Sequence, residues 1–247
     1  LQKTLTMLLD EKKYHSLRDI LSTMNPADIA AIFDDLDQAC LPLLFRLLPK
    51  ELAAETFVEM EPEAQELLIR GFSDSELKEV IDELYVDDAV DIVEEMPANV
   101  VQRILSQAEP DMRKQINEIL RYPEDSAGSI MTTEYVSLRP NMTVEEAILR
   151  IRRTGIDKET IYTCYVTRGH KLIGLTSVKD LLLCEDDDAT IESIMQEHVI
   201  TVSTLDDKEQ VAQMFSKYNF LALPVVDTED RLVGIVTFDD AMDVMED

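Results

Sequence analysis

Two stretches in the second half of the chain repeat one another about 60 residues apart, and this duplication narrows the possible folds more than any other feature. Each copy opens on a short phrase, Ser129-Ile130-Met131 in the first and Ser193-Ile194-Met195 in the second. A β-rich phrase follows, Tyr135-Val136-Ser137-Leu138 or Val199-Ile200-Thr201-Val202, and then an amphipathic run, Val144–Arg152 or Lys208–Tyr218. Two strands joined by a turn come next: Ile161–Val166 with Leu172–Leu175, and Ala222–Val226 with Leu232–Val236. A helix starting at Ser177 or Thr237 closes each copy. The order strand–helix–strand–strand–helix therefore occurs twice, over residues 123–188 and 189–247.

Residues 1–122 read differently. Helix-start signals recur about every 12 residues, near Pro26, Asp37, Pro49, Pro62, Asp74, Asp87, Pro97 and Pro110. Proline suits the first helical turn, where its missing N–H costs nothing, and carboxylates there face the positive end of the helix dipole. Apolar residues fall at helical spacing between these marks, as in Ile29, Ile32, Phe33 and Leu36, or Leu77, Val80, Ile81 and Leu84. Helices of two or three turns do not stand alone and must stack to bury their stripes. The expected fold class is α plus α/β, with an N-terminal all-α helical-repeat superhelix followed by a tandem pair of β-α-β-β-α units.

The chain holds 51 Asp or Glu against 23 Lys or Arg, a formal charge of −28. Nucleic acid and anionic lipid surfaces, which call for a basic face, become poor partners. Asp82 to Glu95 carries seven carboxylates and no base, and no base follows Arg231 to the end of the sequence. No run approaches the ~20 apolar residues of a membrane helix. Position 1 is Leu, so the sequence is expected to be a piece of a longer protein, without a signal peptide. Cys40, Cys164 and Cys184 are scattered and odd in number, which fits reduced thiols and no disulfide frame.

No nucleophile elbow, phosphate-cradling lysine loop or Cys/His pair is present, so no catalytic constellation is expected. Metal binding has more support. Asp87 and Asp91 stand four apart on one helix face, with Glu94 and Glu95 a turn further on, and Asp240 and Asp243 share a face three apart. Two carboxylates ~4 Å apart repel by ~1 kcal/mol in water and ~4 kcal/mol at an effective dielectric near 20. Such faces meet only with a cation between them, and a hard divalent ion with oxygen ligands suits them. The same acids also suit a helix start or a solvated face, so both readings stand at this point.

The duplicated units resemble CBS modules. The phrase Leu223-Pro224-Val225-Val226-Asp227, followed by Arg231–Asp240, carries the likeness most closely, and Lys171–Ser177 carries it in the first copy. The acidic helical half, then Tyr122-Pro123-Glu124-Asp125-Ser126-Ala127-Gly128, with Glu159-Thr160-Ile161-Tyr162 inside the first unit, resembles the MgtE magnesium transporters over essentially the whole chain. That resemblance implies a magnesium-sensing regulatory region at the cytoplasmic face of the cell membrane. It also implies a homodimer paired through the CBS modules, and a transmembrane domain of the same protein beyond Asp247. In such proteins Mg2+ bridges the helical domain and the CBS pair and holds the pore shut. The implied metal ligands are Asp87, Asp91, Gly128, Asp207, Asp240 and Asp243. Two positions depart from the family pattern: Asn219 stands where aspartate is common, and Ser129 where a second glycine is frequent.

An alternative is an adenine-nucleotide sensor. CBS modules often hold ribose through a Gly-x-x-Ser/Thr-x-x-Asp phrase, which occurs here as Gly174, Ser177, Asp180 and as Gly234, Thr237, Asp240. Tyr162 is placed to stack on the base of ATP or another adenine nucleotide, with Lys179 and Arg231 as counter-charges to phosphate. A third possibility is a structural adaptor that uses the helical half for protein contacts.

Overall fold

The computed structural model describes residues 2–246, with side chains over 3–245. Ten helices come first: α1 (Gln2–Asp10), α2 (Tyr14–Leu21), α3 (Pro26–Asp34), α4 (Leu41–Phe45) and α5 (Lys50–Val58), then α6 (Pro62–Gly71), α7 (Asp74–Ile81), α8 (Val86–Glu95), α9 (Ala98–Gln107) and α10 (Pro110–Ile119). The punctuation in the sequence marks most of their starts. Pro26 and Pro62 are first-turn residues, and Asn25 accepts the Ala27 N–H as the N-cap of α3. Ser73 and Glu76 close a capping box on α7, and Arg46 pairs with Glu76 at 2.7 Å. The Arg46 guanidinium and the Ser73 N–H hold the Glu76 carboxyl down to about 2. Asp37 behaves otherwise: the helix starts only at Leu41, with Pro42 in its first turn, and Asp37 takes the Ala39 N–H in the preceding turn.

The helices stack in alternation, α3 on α5, α5 on α7 and α7 on α9, as a helical repeat requires. Phe45, Phe57 and Phe72 form an aromatic cluster with ring centroids 5.4–6.4 Å apart. Backbone contacts group residues 1–84 and 88–114 as one compact unit, and residues 85–87 and 115–247 as a second.

The second unit contains two three-stranded sheets. In the first, β1 (Val136–Leu138) pairs parallel with β2 (Thr163–Arg168), which pairs antiparallel with β3 (Lys171–Ser177). Helix α11 (Val144–Thr154) links β1 to β2, and α12 (Val178–Leu183) follows β3. After the short α13 (Ile191–Ile194), the second copy repeats this with β4 (Val202–Ser203), α14 (Lys208–Tyr218), β5 (Ala222–Val226), β6 (Leu232–Thr237) and α15 (Phe238–Glu246). Thr143 and Glu146 form the capping box of α11, and Asp207 caps α14 by accepting the Gln210 N–H.

The opening phrases are exchanged between the copies. Thr132 of the first opening exchanges two backbone hydrogen bonds with Ile235 on β6, and Gln196 of the second does the same with Leu175 on β3. Met131 accordingly packs in the core of the second copy, and Met195 against that of the first. Glycine makes room for both crossings. A Cβ on Gly234 would lie 2.8 Å from the Thr132 carbonyl oxygen and one on Gly174 3.0 Å from that of Gln196, each also pressed into the thioether of the crossing methionine. Tyr165, Leu232 and Ile235 form a small shared core where the copies meet.

Candidate metal centre

Three carboxylates converge in the second unit: Asp87, Glu159 and Asp240 each offer an oxygen within 4.8 Å of the others. Each comes from a different element. Asp87 sits in the first turn of α8, where the Val86 N–H donates to the Glu134 carboxylate at 3.2 Å. Glu159 follows the 3-10 turn after α11, and its own N–H donates to the Glu134 carbonyl at 3.1 Å. Residue 134 therefore tethers both neighbours. Asp240 lies in the first turn of α15, where its Oδ2 accepts from the Thr237 N–H and hydroxyl.

Asp87 is buried, while Glu159 and Asp240 are half-buried. Burial, then the Asp87 charge, pushes both the Glu159 and the Asp240 carboxyls far above the ordinary carboxylate range. Burial also raises Glu134 beside them. Glu159 Oε2 is buried and meets no hydrogen-bond donor. An all-oxygen set with such an orphaned acceptor fits a hard divalent cation, which supplies the missing positive partner.

The trio unites two residues singled out from the sequence, Asp87 and Asp240, with one that was not. Glu159 was legible only as part of a family phrase, because its stretch, Asp157-Lys158-Glu159, mixes charges and lacks the base-free character of the other two. The remaining candidates take other positions. Asp91 is exposed on α8 and Asp243 on α15. Asp207 is an exposed helix cap whose backbone bridges to Ser126. Gly128 is buried, its N–H donating to the Thr204 carbonyl, and a Cβ there would sit 2.5 Å from the Tyr122 ring. Ser129 is buried too, with its hydroxyl turned to the Glu124 and Ser126 carbonyls. Asn219 ends α14 in the left-handed conformation, φ 55° and ψ 43°, where asparagine is favoured.

The nucleotide candidates of the first copy fall together. Thr163 pairs with Ser177 across β2 and β3, and the Tyr162 carbonyl accepts the Val178 N–H at the head of α12. Tyr162 is exposed, and Asp180 accepts from the Ser177 N–H and hydroxyl. Thr237 is buried in the matching bond to Asp240. Of the two expected counter-charges, Arg231 is held by Asp227 at 2.7 Å.

Comparison with known proteins gives a consistent picture. Residues 24–125 match the MgtE intracellular N domain, and residues 127–185 and 191–247 match the CBS domain. The chain is 39% identical over 243 residues to the magnesium transporter MgtE of Thermus thermophilus, covering 96% of this chain and 54% of that protein. It is 30% identical over 240 residues to MgtE of Bacillus subtilis, covering 97% and 53%. The chain thus spans about half the length of the curated relatives it matches. Among solved structures, the cytosolic domain of the Mg2+ channel MgtE in complex with ATP superposes with a TM-score of 0.92 at 38% identity, over 99% of this chain and 100% of that one. The soluble part of a magnesium transporter superposes with a TM-score of 0.88 at 32% identity, over 99% and 96%. Among the described residues, no helix is long and apolar enough to cross a membrane.

Proposed function

The chain belongs to the MgtE family of magnesium transporters, and from that premise we propose that it is the cytosolic Mg2+-sensing region of such a transporter. The observation that carries this reading is the convergence of Asp87, Glu159 and Asp240 from three elements. With no cation, these carboxylates oppose one another at short range in a partly desolvated place, and they lower the repulsion by retaining protons. A bound divalent ion supplies the charge that turns this repulsion into attraction. Asp87 then holds the start of α8 to the CBS pair through Glu159 and Asp240. Binding to this arrangement alone stabilises it by mass action, so magnesium concentration becomes a conformational equilibrium. Asp91, Asp207, Asp243 and the Gly128 carbonyl are further oxygen ligands for Mg2+ in this reading. In the full-length protein, filling these sites closes the pore of the transmembrane domain, and Leu182, Leu183 and Phe238 give the CBS pair exposed apolar surface for a homodimer.

The test is limited proteolysis and solution scattering of this chain in chelator and in Mg2+ on the order of 10 mM. Protection and compaction are expected, weakened by Asp87→Ala and by Asp240→Ala. Identical profiles in both buffers would remove the sensing reading, and a monomeric mass in solution would remove the dimer.

A second reading concerns adenine nucleotides. The solved relative at 38% identity is a complex with ATP, and here Tyr162, Ser177 and Asp180 sit together at one end of β2 and β3. ATP binding at this place is expected alongside magnesium sensing, with Tyr162 stacking on the base. Calorimetry with ATP tests it: heat that persists in Tyr162→Ala would exclude this set of residues.

A further inference from the structure

Residues 139–171 carry seven Lys or Arg against four Asp or Glu, which reverses the sign of a chain whose formal charge is −28. The fold gathers three of those bases round one open cleft of about 690 Å3 in the first CBS copy. Arg139 comes from the loop after β1, Arg150 from α11 and Arg168 from the end of β2. Arg168 pairs with Glu192 at 2.5 Å, while Arg139 and Arg150 form no ion pair among the described residues. Two guanidinium charges therefore line the cleft uncompensated. The other lining groups are small and polar: the Asn141 amide, the hydroxyls of Ser137 and Thr167, 3.2 Å apart, and the backbone at Gly169. Gly169 turns the β2–β3 hairpin at φ +67°, a conformation that L side chains rarely adopt.

Planar guanidinium forks match the oxygens of a phosphoryl group in paired hydrogen bonds. The cleft volume lies within the ~300–1,000 Å3 typical of small-molecule sites. Glu192 opposes a monoanion, so the surplus of two positive charges selects a ligand of charge −2 or more. Along β2, Arg168 is at the end remote from Thr163, the residue paired with Ser177, so the cleft is separate from the Tyr162–Ser177–Asp180 group. We propose that this cleft binds a small soluble phosphate-bearing polyanion. The proposal does not depend on magnesium sensing at the acidic trio.

Inorganic pyrophosphate is the probe, titrated into the 247-residue chain in low-salt buffer stripped of divalent ions and read by the backbone amide resonances of Asn141 and Gly169. Saturable shifts at these two amides are expected, with the Tyr162 amide unmoved. Replacing Arg139 and Arg150 together by Gln should weaken binding at least about tenfold while leaving the melting temperature in place. Three outcomes overturn the proposal. The amides of Asn141 and Gly169 do not move, or they move equally in the double variant, or the chain sediments with phosphatidylglycerol vesicles through these arginines while pyrophosphate has no effect. The last would assign the phosphate chemistry to a lipid headgroup.

Discussion

In the first CBS copy Asp180 bonds the Ser177 N–H and hydroxyl at the head of α12 and stays exposed. In the second copy Asp240 makes the same bonds to Thr237 at the head of α15, yet stands among Asp87, Glu159 and Asp239 with its carboxyl driven up by burial. One phrase thus produces one local device, a helix cap, in two electrostatic settings. A capping motif specifies the backbone turn and its own hydrogen bonds. Whether its carboxylate also becomes a ligand depends on what distant segments deliver beside it. Only the second copy receives the start of α8 and the turn that holds Glu159.

The strongest way to break this comparison is to neutralise each aspartate in turn. Mg2+ at a hundredfold excess over its dissociation constant should stabilise the chain by about 2.7 kcal/mol. Calorimetric melting should show this increment lost in Asp240→Asn and retained in Asp180→Asn. Equal loss in both variants would refute the asymmetry.

Next in size is an effect that should be symmetric. Gly234→Ala and Gly174→Ala each press a methyl against a crossing methionine and a backbone carbonyl, which should cost about 1–3 kcal/mol in urea melts. A cost confined to one copy would mean that the exchanged openings are not equivalent supports.

Acid dependence sharpens the contrast further. Burial, then the neighbouring Asp87 charge, pushes the Asp240 carboxyl up to about 8 and raises Glu159 as well, so the folded state binds protons that the unfolded state has released. Stability without metal is therefore greatest below pH 4 as far as these groups are concerned. It falls as pH rises towards 8, by up to about 1.4 kcal/mol per pH unit for each proton involved. Melts in metal-free buffer from pH 5 to pH 8 should show the fall in the parent chain, reduced in Asp240→Asn and unchanged in Asp180→Asn.

The smallest expected effect lies at the ends of the two long CBS helices. α14 stops on Asn219 at φ 55°, whereas α11 stops on Gly155 at φ −72°. Asn219→Ala should cost about 1 kcal/mol, because a Cβ-bearing residue without a local hydrogen-bonding side chain pays for the left-handed turn. Gly155→Ala should cost less, its conformation being ordinary and its nearest new contact the Ile161 methyl at 3.0 Å.

Much of this was legible along the chain. Pro26, Pro62 and Asp74 announce helix starts through chemistry that acts within one turn, and the range of α14 follows from its apolar spacing. Asp37 misled because an Asx turn and an N-cap use the same side chain in the same way. Asp87 and Asp240 stood out through base-free runs. Glu159 did not, since its neighbour Lys158 gives the stretch an ordinary mixture of charge, and the basic cleft was hidden because a whole-chain charge averages over Arg139, Arg150 and Arg168.

The sequence by itself determined the helical repeat, the duplicated β-α-β-β-α order and most helix starts, all of which follow from periodicity and contacts a few residues long. Tertiary structure alone decided that Met131 and Met195 cross into each other's modules, that Glu159 completes a trio with Asp87 and Asp240, and that three arginines share one cleft. The physical reason is range. Dihedral preferences and capping bonds act between neighbours in the chain, whereas desolvation and Coulomb repulsion act between neighbours in space, and the fold chooses those.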